Sequence, residues 1–333
     1  MSLIPVSKVM HVSEEQKAEN QLANFRVGCT PGWLCLWSFL LLLLVGIALT
    51  VLHRPHNDST EKPGDLTVVK QDGFTLIIQT FKRDDILVKV LKRCLAVPHL
   101  QKILIVWNNI NKPPSQKLRD SLGPHRTPII FLEQKVNSMQ NRLQPFSEIQ
   151  TDAVLMLDDD ILLSVSDISF AFRIWKQSPD QIVGFVPRRH AETAPGVYTY
   201  GGSELSDPQN GGEKYSMVLI SAVFFHRRYL QLYQEQPKEV HNLVDDTHNC
   251  DDIAMNFVVA MHLRKLWGSG KPAGIYIKPK NMVNLELQAN SGFKGLWHRP
   301  DHFKQRSYCL TRLAQIYGVM PLQFSNIMMT QLT

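Results

Sequence analysis

The stretch Ala153-Val154-Leu155-Met156-Leu157-Asp158-Asp159-Asp160-Ile161-Leu162-Leu163 constrains this chain more than any other. Five apolar residues in succession read as a buried strand, and three adjacent carboxylates stand at its carboxyl end, where open α/β sheets hold their ligands. Apolar residues on both sides would bury the triplet, and three adjacent buried charges require a counter-ion. Asp oxygens are hard ligands suited to magnesium or manganese, so the pattern points to a metal held against a diphosphate. For a lone Asp-Asp pair the plain alternative is a helix cap or a solvated turn.

Similar strands precede it. Phe74-Thr75-Leu76-Ile77-Ile78-Gln79 is β-rich, and Leu87, Val90, Leu91, Cys94 and Leu95 then recur at the spacing of one helix face, which puts Cys94 in the core. Lys102–Trp107 ends in Asn108-Asn109, and Ile129–Leu132 leads into Asn137, Asn141 and Arg142. Strands that alternate with polar turns and helical spacing predict a mostly parallel sheet with helices on its faces. Right-handed crossovers put every carboxyl end on one edge, so Gln79, Arg83, Asn108, Asn137, Arg142 and Asp158 to Asp160 should face a common crevice. No Gly-x-Gly-x-x-Gly follows the first strand and no P-loop occurs, so dinucleotide and P-loop readings lose their main support.

Beyond the triplet, Phe170–Trp175 reads as helix and Ile182–Val186 as a strand running into Pro187-Arg188-Arg189-His190. Val197 to Ser216 is rich in Gly, Tyr, Ser and Asn, as in a hairpin or an acceptor-side loop, and strand-like runs follow at Tyr215–Ile220 and Val223–Phe225. In Asn249-Cys250-Asp251-Asp252-Ile253-Ala254-Met255-Asn256-Phe257, residues Ile253, Asn256 and Phe257, with Ala260, share a helix face. Asp251 and Asp252 then fall in the first turn, where the helix dipole favours ionised carboxylates, although capping alone would also place them there. No His/Cys spacing fits zinc. Gly292–Pro300, a glycine-bracketed loop with aromatic and basic residues, could close over a phosphate or be an ordinary surface loop.

The 333 residues, 44% apolar, suffice for one large core or two smaller ones. Trp33 to Leu52 is an uncharged run of twenty, long enough to cross about 30 Å of hydrocarbon, and reads as a membrane span. Flanking charges at Lys17, Arg26, Arg54, Lys62 and Lys70 do not decide its orientation. Residues 53–71 read as a polar stem, holding the Asn57-Asp58-Ser59 sequon, and residues 72–333 as the folded region. Lys8, Lys17 and Arg26 balance Glu14, Glu15 and Glu19, so the formal excess of +6 belongs to the part beyond the span and suits anionic ligands. Cys29 and Cys35 flank or enter the span, and Cys94, Cys250 and Cys309 cannot all pair.

Leu157-Asp158-Asp159-Asp160, Asn249–Phe257 and Trp297-His298-Arg299, in this order and separation, resemble the exostosin glycosyltransferase domain of heparan sulfate synthesis from about residue 70 to the end. The resemblance implies a GT-A α/β fold, a Rossmann-like nucleotide half fused to an acceptor half. It implies a manganese-dependent retaining transfer of N-acetylglucosamine or N-acetylgalactosamine from its UDP-sugar. The acceptor would be a glucuronic acid end of the glycosaminoglycan linkage region, joined alpha-1,4. Carried over position by position, Gln79, Arg83, Asn108, Asn137 and Arg142 resemble the uridine and ribose contacts. By the same resemblance Asp158 and Asp159 would belong to the sugar-nucleotide motif, Asp160 would be the metal ligand, and Arg188 and Asp251 would touch substrate. The resemblance further implies that Asp252 stands beside the reacting carbon and that Arg299 neutralises the diphosphate.

The same resemblance implies a type II protein of the endoplasmic reticulum or Golgi. Residues 1–32 would be cytosolic and the catalytic domain luminal, with a cleaved soluble form open to secretion. That compartment is oxidising and Cys94 lies on a buried face, so Cys250 and Cys309 are expected to form a disulfide. No nucleic-acid partner is expected, and homodimerisation is left open. The connection from Leu263 to Ala273, with Arg264, Lys265 and Lys271, matches no family motif. The competing readings are a metal-dependent nucleotidyltransferase and a non-catalytic lectin or chaperone of the same fold. A haloacid-type phosphatase is disfavoured, because Leu162 stands where its Thr or Val belongs.

Overall fold

The computed structural model describes residues 72–201, 213–268, 270–287 and 295–332. The expected tail, membrane span and stem lie outside the described residues, as do 202–212 of the glycine-rich stretch and 288–294 of the loop before Gly295. Among the described residues no helix is long and apolar enough to cross a membrane.

The strands are β1 (Phe74–Thr80), β2 (Leu100–Trp107), β3 (Ile129–Glu133), β4 (Ala153–Asp158), β5 (Ile161–Leu163), β6 (Ile182–Gly184), β7 (Pro187–Ala194), β8 (Val197–Gly201), β9 (Met217–Val218), β10 (Ala222–His226), β11 (Gly274–Ile277), β12 (Met282–Asn284) and β13 (Met328–Met329). The helices are α1 (Asp84–Cys94), α2 (Gln116–Ser121), α3 (Val165–Gln177), α4 (Arg228–Gln234), α5 (Lys238–Thr247), α6 (Asp251–Trp267) and α7 (His302–Tyr317), with 3-10 turns at Met139–Leu143 and Leu296–His298.

Eight strands form one sheet in the order β13-β11-β6-β10-β4-β1-β2-β3. All run parallel except β10, which is antiparallel to both β4 and β6. One reversal in eight strands agrees with the mostly parallel sheet expected, although apolar composition, which makes Val223 to Phe225 a core strand, carries no sign of its direction. The expected strand Ile182–Val186 ends at Gly184. There a Cβ would stand 2.5 Å from the Ala222 carbonyl oxygen, so the close approach of β10 requires glycine. Pro187 begins a separate antiparallel sheet, β8-β7-β9.

The central strands are buried on both faces, which is why they read as continuous apolar runs. Leu76, Ile78, Ile103, Ile105, Leu155, Leu157 and Phe224 pack with Leu87, Leu91, Phe172 and Trp175 of α1 and α3. Their alternates Ile77, Leu104, Val106, Val154, Met156, Val223 and Phe225 pack with Tyr229, Val244, Phe257 and Leu313 of α4 to α7. At about 25 cal/mol per Å² of buried apolar area, these two cores dominate the stabilisation. Helix α1 carries Asp84 and Asp85 in its first turn and Lys92 and Arg93 in its last, with a buried stripe from Ile86 to Cys94. Helix α6 is buried on every side from Asp251 to Ala260, so the expected single apolar face is in fact a central helix.

Chain order places β1, β2 and β3 successively to one side and β4 on the other side of β1, so the direction of winding reverses between β1 and β4. The carboxyl ends of these two strands therefore flank the crevice at the switch point.

Candidate active site

Gln79 and Asp158 are Cα partners at the ends of β1 and β4, the two sides of the switch point. Asp159 and Asp160 occupy the turn into β5, and both are buried. Two guanidinium groups supply the counter-charge the triplet requires. Arg83, from the turn between β1 and α1, reaches Asp159 Oδ1 at 3.0 Å and Asp160 Oδ2 at 2.7 Å, and Thr80 Oγ1 donates to Asp159 Oδ2 at 2.7 Å. Arg142, on the 3-10 turn before β4, donates from Nη1 to Asp158 Oδ1 at 2.5 Å and from Nη2 to Asp251 Oδ2 at 2.6 Å. Its backbone N–H donates to Gln79 Oε1 at 3.0 Å, so the side chain that opposes Asp158 is fixed from β1.

Asn108 donates to Asn137 Oδ1 at 3.0 Å and accepts from Asn141 Nδ2 at 2.9 Å. A cavity of about 760 Å³ opens beside them, lined by Phe81, Lys82, Arg83, Asn109, Lys112 and Asn137 among others, a size suited to a small-molecule ligand. The crevice residues expected from the sequence are thus brought together, but Gln79, Arg83 and Arg142 are committed to one another and to carboxylates.

Helix α6 enters through two residues in the left-handed region, His248 (φ 48°) and Cys250 (φ 70°). Cys250 is bonded to Cys309 of α7, and its N–H donates to Asn249 Oδ1 at 2.8 Å; both contacts hold a conformation that costs a non-glycine residue about 1 kcal/mol or more. Cys94 is free and buried. The turn delivers Asp251 to Arg142 and Asp252 to Arg306 of α7, whose Nη2 donates to Asp252 Oδ2 at 2.7 Å. Sequence reasoning gave Asp252 and Arg299 separate roles, at the reacting carbon and at the diphosphate, and named no ion-pair partner for Asp252. The structure pairs it with Arg306, while Arg299 is exposed, makes no ion pair among the described residues, and offers its carbonyl to the His302 N–H at 3.1 Å. Arg188 is half-buried on β7 and donates to the Pro187 carbonyl at 2.8 Å.

Glu286, also missed in the sequence, is buried at the end of β12. It accepts from Trp297 Nε1 at 2.7 Å and from the Gly295 N–H, and lies 3.4 Å from Arg83 Nη2. It ties the Gly295–His298 segment to the carboxylate cluster. A single Glu between Leu285 and Leu287 carries no sequence signal. Arg306 does have one: it lies one helical turn before Cys309, so a Cys250–Cys309 pairing turns it toward the Asp251-Asp252 end of α6.

Burial pushes Asp158, Asp159 and Asp160 each up to about 6, opposed by Arg142 or Arg83. Burial raises Asp251 as well. For Asp252 burial acts the same way but is outweighed by Arg306, then by Arg142 and the Ile253 N–H, so this carboxyl is held below its usual range. The site thus separates a carboxylate kept ionised from a cluster that gains from added positive charge.

Among the described residues no three His, Cys, Asp or Glu side chains converge as a metal cage would need. Magnesium-like ions are commonly held by one or two carboxylates plus phosphate oxygens, and adjacent carboxylates raised by burial supply that kind of donor. The donor set fits a hard dication whose shell is completed by ligand oxygens.

Comparison with known proteins makes the class specific: the chain is a glycosyltransferase. Residues 74–333 match the Glycosyl transferase family 64 domain, and the chain belongs to that family, on its exostosin branch. Exostosin-like 2 of Homo sapiens is 55% identical over 261 residues, covering 78% of this chain and 77% of its own. Exostosin-2 of Bos taurus is 34% identical over 257 residues, covering 76% of this chain and 33% of its own. Glycosylinositol phosphorylceramide mannosyl transferase 1 of Arabidopsis thaliana is 32% identical over 310 residues, covering 87% of each.

Proposed function

We propose that this enzyme transfers N-acetylglucosamine or N-acetylgalactosamine, with retention, from its UDP-sugar to the 4-position of a terminal glucuronic acid in the glycosaminoglycan linkage region. The observation that carries this reading is the Arg142 bridge between Asp158 and Asp251, which brings the switch-point carboxylates and the reactive end of α6 into one site. Similarity to Exostosin-like 2 supports a glycosaminoglycan-related glycosyl transfer, and the choice of sugar and acceptor follows the motif resemblance. We infer a catalytic domain in the lumen of the endoplasmic reticulum or Golgi, behind a signal anchor read from the sequence of residues 33–52; the Cys250–Cys309 disulfide suits an oxidising compartment.

Manganese, held by Asp160 with Asp158 nearby, would supply positive charge against the donor diphosphate. The chain's own residues do the rest. Asn108, Asn137 and the adjoining cavity accept the nucleoside. Arg83 and Arg142 keep the carboxylates apart and oriented. Asp252, ionised and fixed by Arg306 and the Ile253 N–H, sets negative charge where the sugar ring becomes cationic on leaving the diphosphate, a fixed-charge effect commonly worth about 3 kcal/mol. Arg299 opposes the charge growing on the departing diphosphate.

The test is a panel of nucleotide sugars with a glucuronic-acid-terminated acceptor, with and without manganese, reading product linkage and anomer by NMR. Alpha-1,4-linked N-acetylhexosamine is the expected product. The Arabidopsis relative favours a second reading, mannosyl transfer to an inositol phosphorylceramide glycan, so a mannose donor and that acceptor class belong in the panel.

A further inference from the structure

The two ends of α6 differ in character. Its first turn holds Asp251 and Asp252; its last turn holds Arg264, Lys265, Leu266 and Trp267, about 22 Å further along the axis at about 1.5 Å per residue. That far end lies at the amino edge of the sheet, because the chain runs from it into the start of β11, which is parallel to β6. Basic side chains in a last turn complement the helix dipole, which explains Arg264 and Lys265 but not the apolar pair beside them. Trp267 is 63% exposed and Leu266 51%. Lys271 Nζ stands 5.0 Å from the centre of the Trp267 ring and holds the indole against the turn. Gly268 and Gly270, both at positive φ, leave open space where a side chain would stand. Arg264 and Lys265 are exposed and make no ion pair among the described residues, whereas Arg228 of α4, which acts with Lys265 on His262, is paired with Asp180 at 3.4 Å.

We propose, with the choice of glycan resting on the glycosyl-transfer reading, that this end of α6 is a second glycan site, separate from the catalytic crevice, which holds an anionic polysaccharide of uronate- or sulfate-bearing sugars. Charge complementarity carries the choice: Arg264, Lys265 and Lys271 gather around one exposed indole. A pyranose presents axial C–H groups of partial positive charge to the negative face of an aromatic ring, while its carboxylate or sulfate groups project from the ring edge toward the cations. Lys271 stands over one face of Trp267, and the other is left to the sugar. The two glycines let a long chain lie close against the backbone. An acidic peptide would use the cations and leave the indole without a matching face. A bilayer would need a broader apolar surface than two side chains next to two glycines. The positive excess of the folded region draws a polyanion toward this patch from a distance.

The experiment titrates the full chain with a heparin dodecasaccharide, by calorimetry and by tryptophan fluorescence, beside dextran, polyglutamate and phosphatidylserine vesicles. Heparin should bind and dextran should not. Trp267→Ala and the double variant Lys265→Ala/Lys271→Ala should each weaken heparin binding by about tenfold, and Trp267→Ala should remove most of the fluorescence change. Lys92→Ala/Lys117→Ala deletes two exposed charges from α1 and α2, and should alter the affinity by less than about twofold. Equal losses in the two double variants would mean that overall positive charge does the binding, and would overturn the proposal. Polyglutamate or vesicles that bind as tightly as heparin, with the same dependence on Trp267, would overturn it as well. Tm, UDP affinity and turnover on a disaccharide acceptor should be unchanged in Trp267→Ala. A joint fall of heparin affinity and turnover would put the glycan in the crevice and refute a second site. The binding measurements need no turnover, so a wild type that transfers no sugar sinks the function reading alone and leaves these outcomes to decide the site.

Discussion

Arg142 and Asp251 are joined through a single oxygen: Nε at 2.9 Å and Nη2 at 2.6 Å both reach Asp251 Oδ2. Both side chains are almost wholly buried, so breaking the pair strands a charge. Arg142→Met should cost about 3 to 5 kcal/mol in denaturant unfolding, and adding Asp251→Asn should recover part of it. Strictly additive losses would mean that the two groups are stabilised by other partners.

Asp160→Asn should remove the manganese-dependent part of UDP binding, about a hundredfold, and leave the affinity measured in EDTA little changed. Calorimetry in both conditions makes the comparison. Equal manganese-dependent affinity in wild type and variant would leave Asp160 as a partner of Arg83 and nothing more.

Asp252→Asn and Arg299→Ala should each lower turnover by about a hundredfold or more, less than additively when combined, because both act on one charge-separated state. Arg299 is exposed and makes no ion pair among the described residues, so its removal should leave stability within about 0.5 kcal/mol. Near-normal turnover of Asp252→Asn would reduce Asp252 to a capping group.

His190 gives a pH dependence of stability. It is buried on β7, with Nδ1 2.8 Å from Ser216 Oγ and its ring stacked on Phe324, and burial pushes it down to about 4. A depressed folded-state value means that the unfolded chain binds the proton first. The contribution is therefore fully present above pH 6.5 and is lost as pH falls toward 4, amounting to about 3 kcal/mol. His190→Gln should flatten that slope in unfolding titrations. A slope equal to the wild-type one would place the acid sensitivity elsewhere.

Parallel strands covered on both faces announce themselves as apolar runs, so β1, β2, β4 and the carboxylates at their edge were legible from Phe74, Lys102 and Ala153 onward. Strand direction was not, because hydrogen-bond polarity leaves no mark on composition; hence the reversal at Ala222–His226. The crevice residues were legible because they follow strands. Arg306 and Glu286 were not read, since a charged residue within a helix or between two leucines is usually solvated, and only long-range packing buries these two. The glycine-bracketed loop showed its Trp and His, but its anchor at Glu286 is a tertiary contact.

The sheet order also sets a sequence of assembly. Everything from Gln79 to Asp160 lies in one continuous span, while the Arg142 link to Asp251 crosses 109 residues and the Asp252 clamp waits for Arg306, 54 residues further on. As the chain emerges during synthesis, the crevice can close before its reactive carboxylate exists. Until α7 arrives, Asp252 has neither its fork nor its sulfur tether, so the reacting end of the site is the last part to be completed.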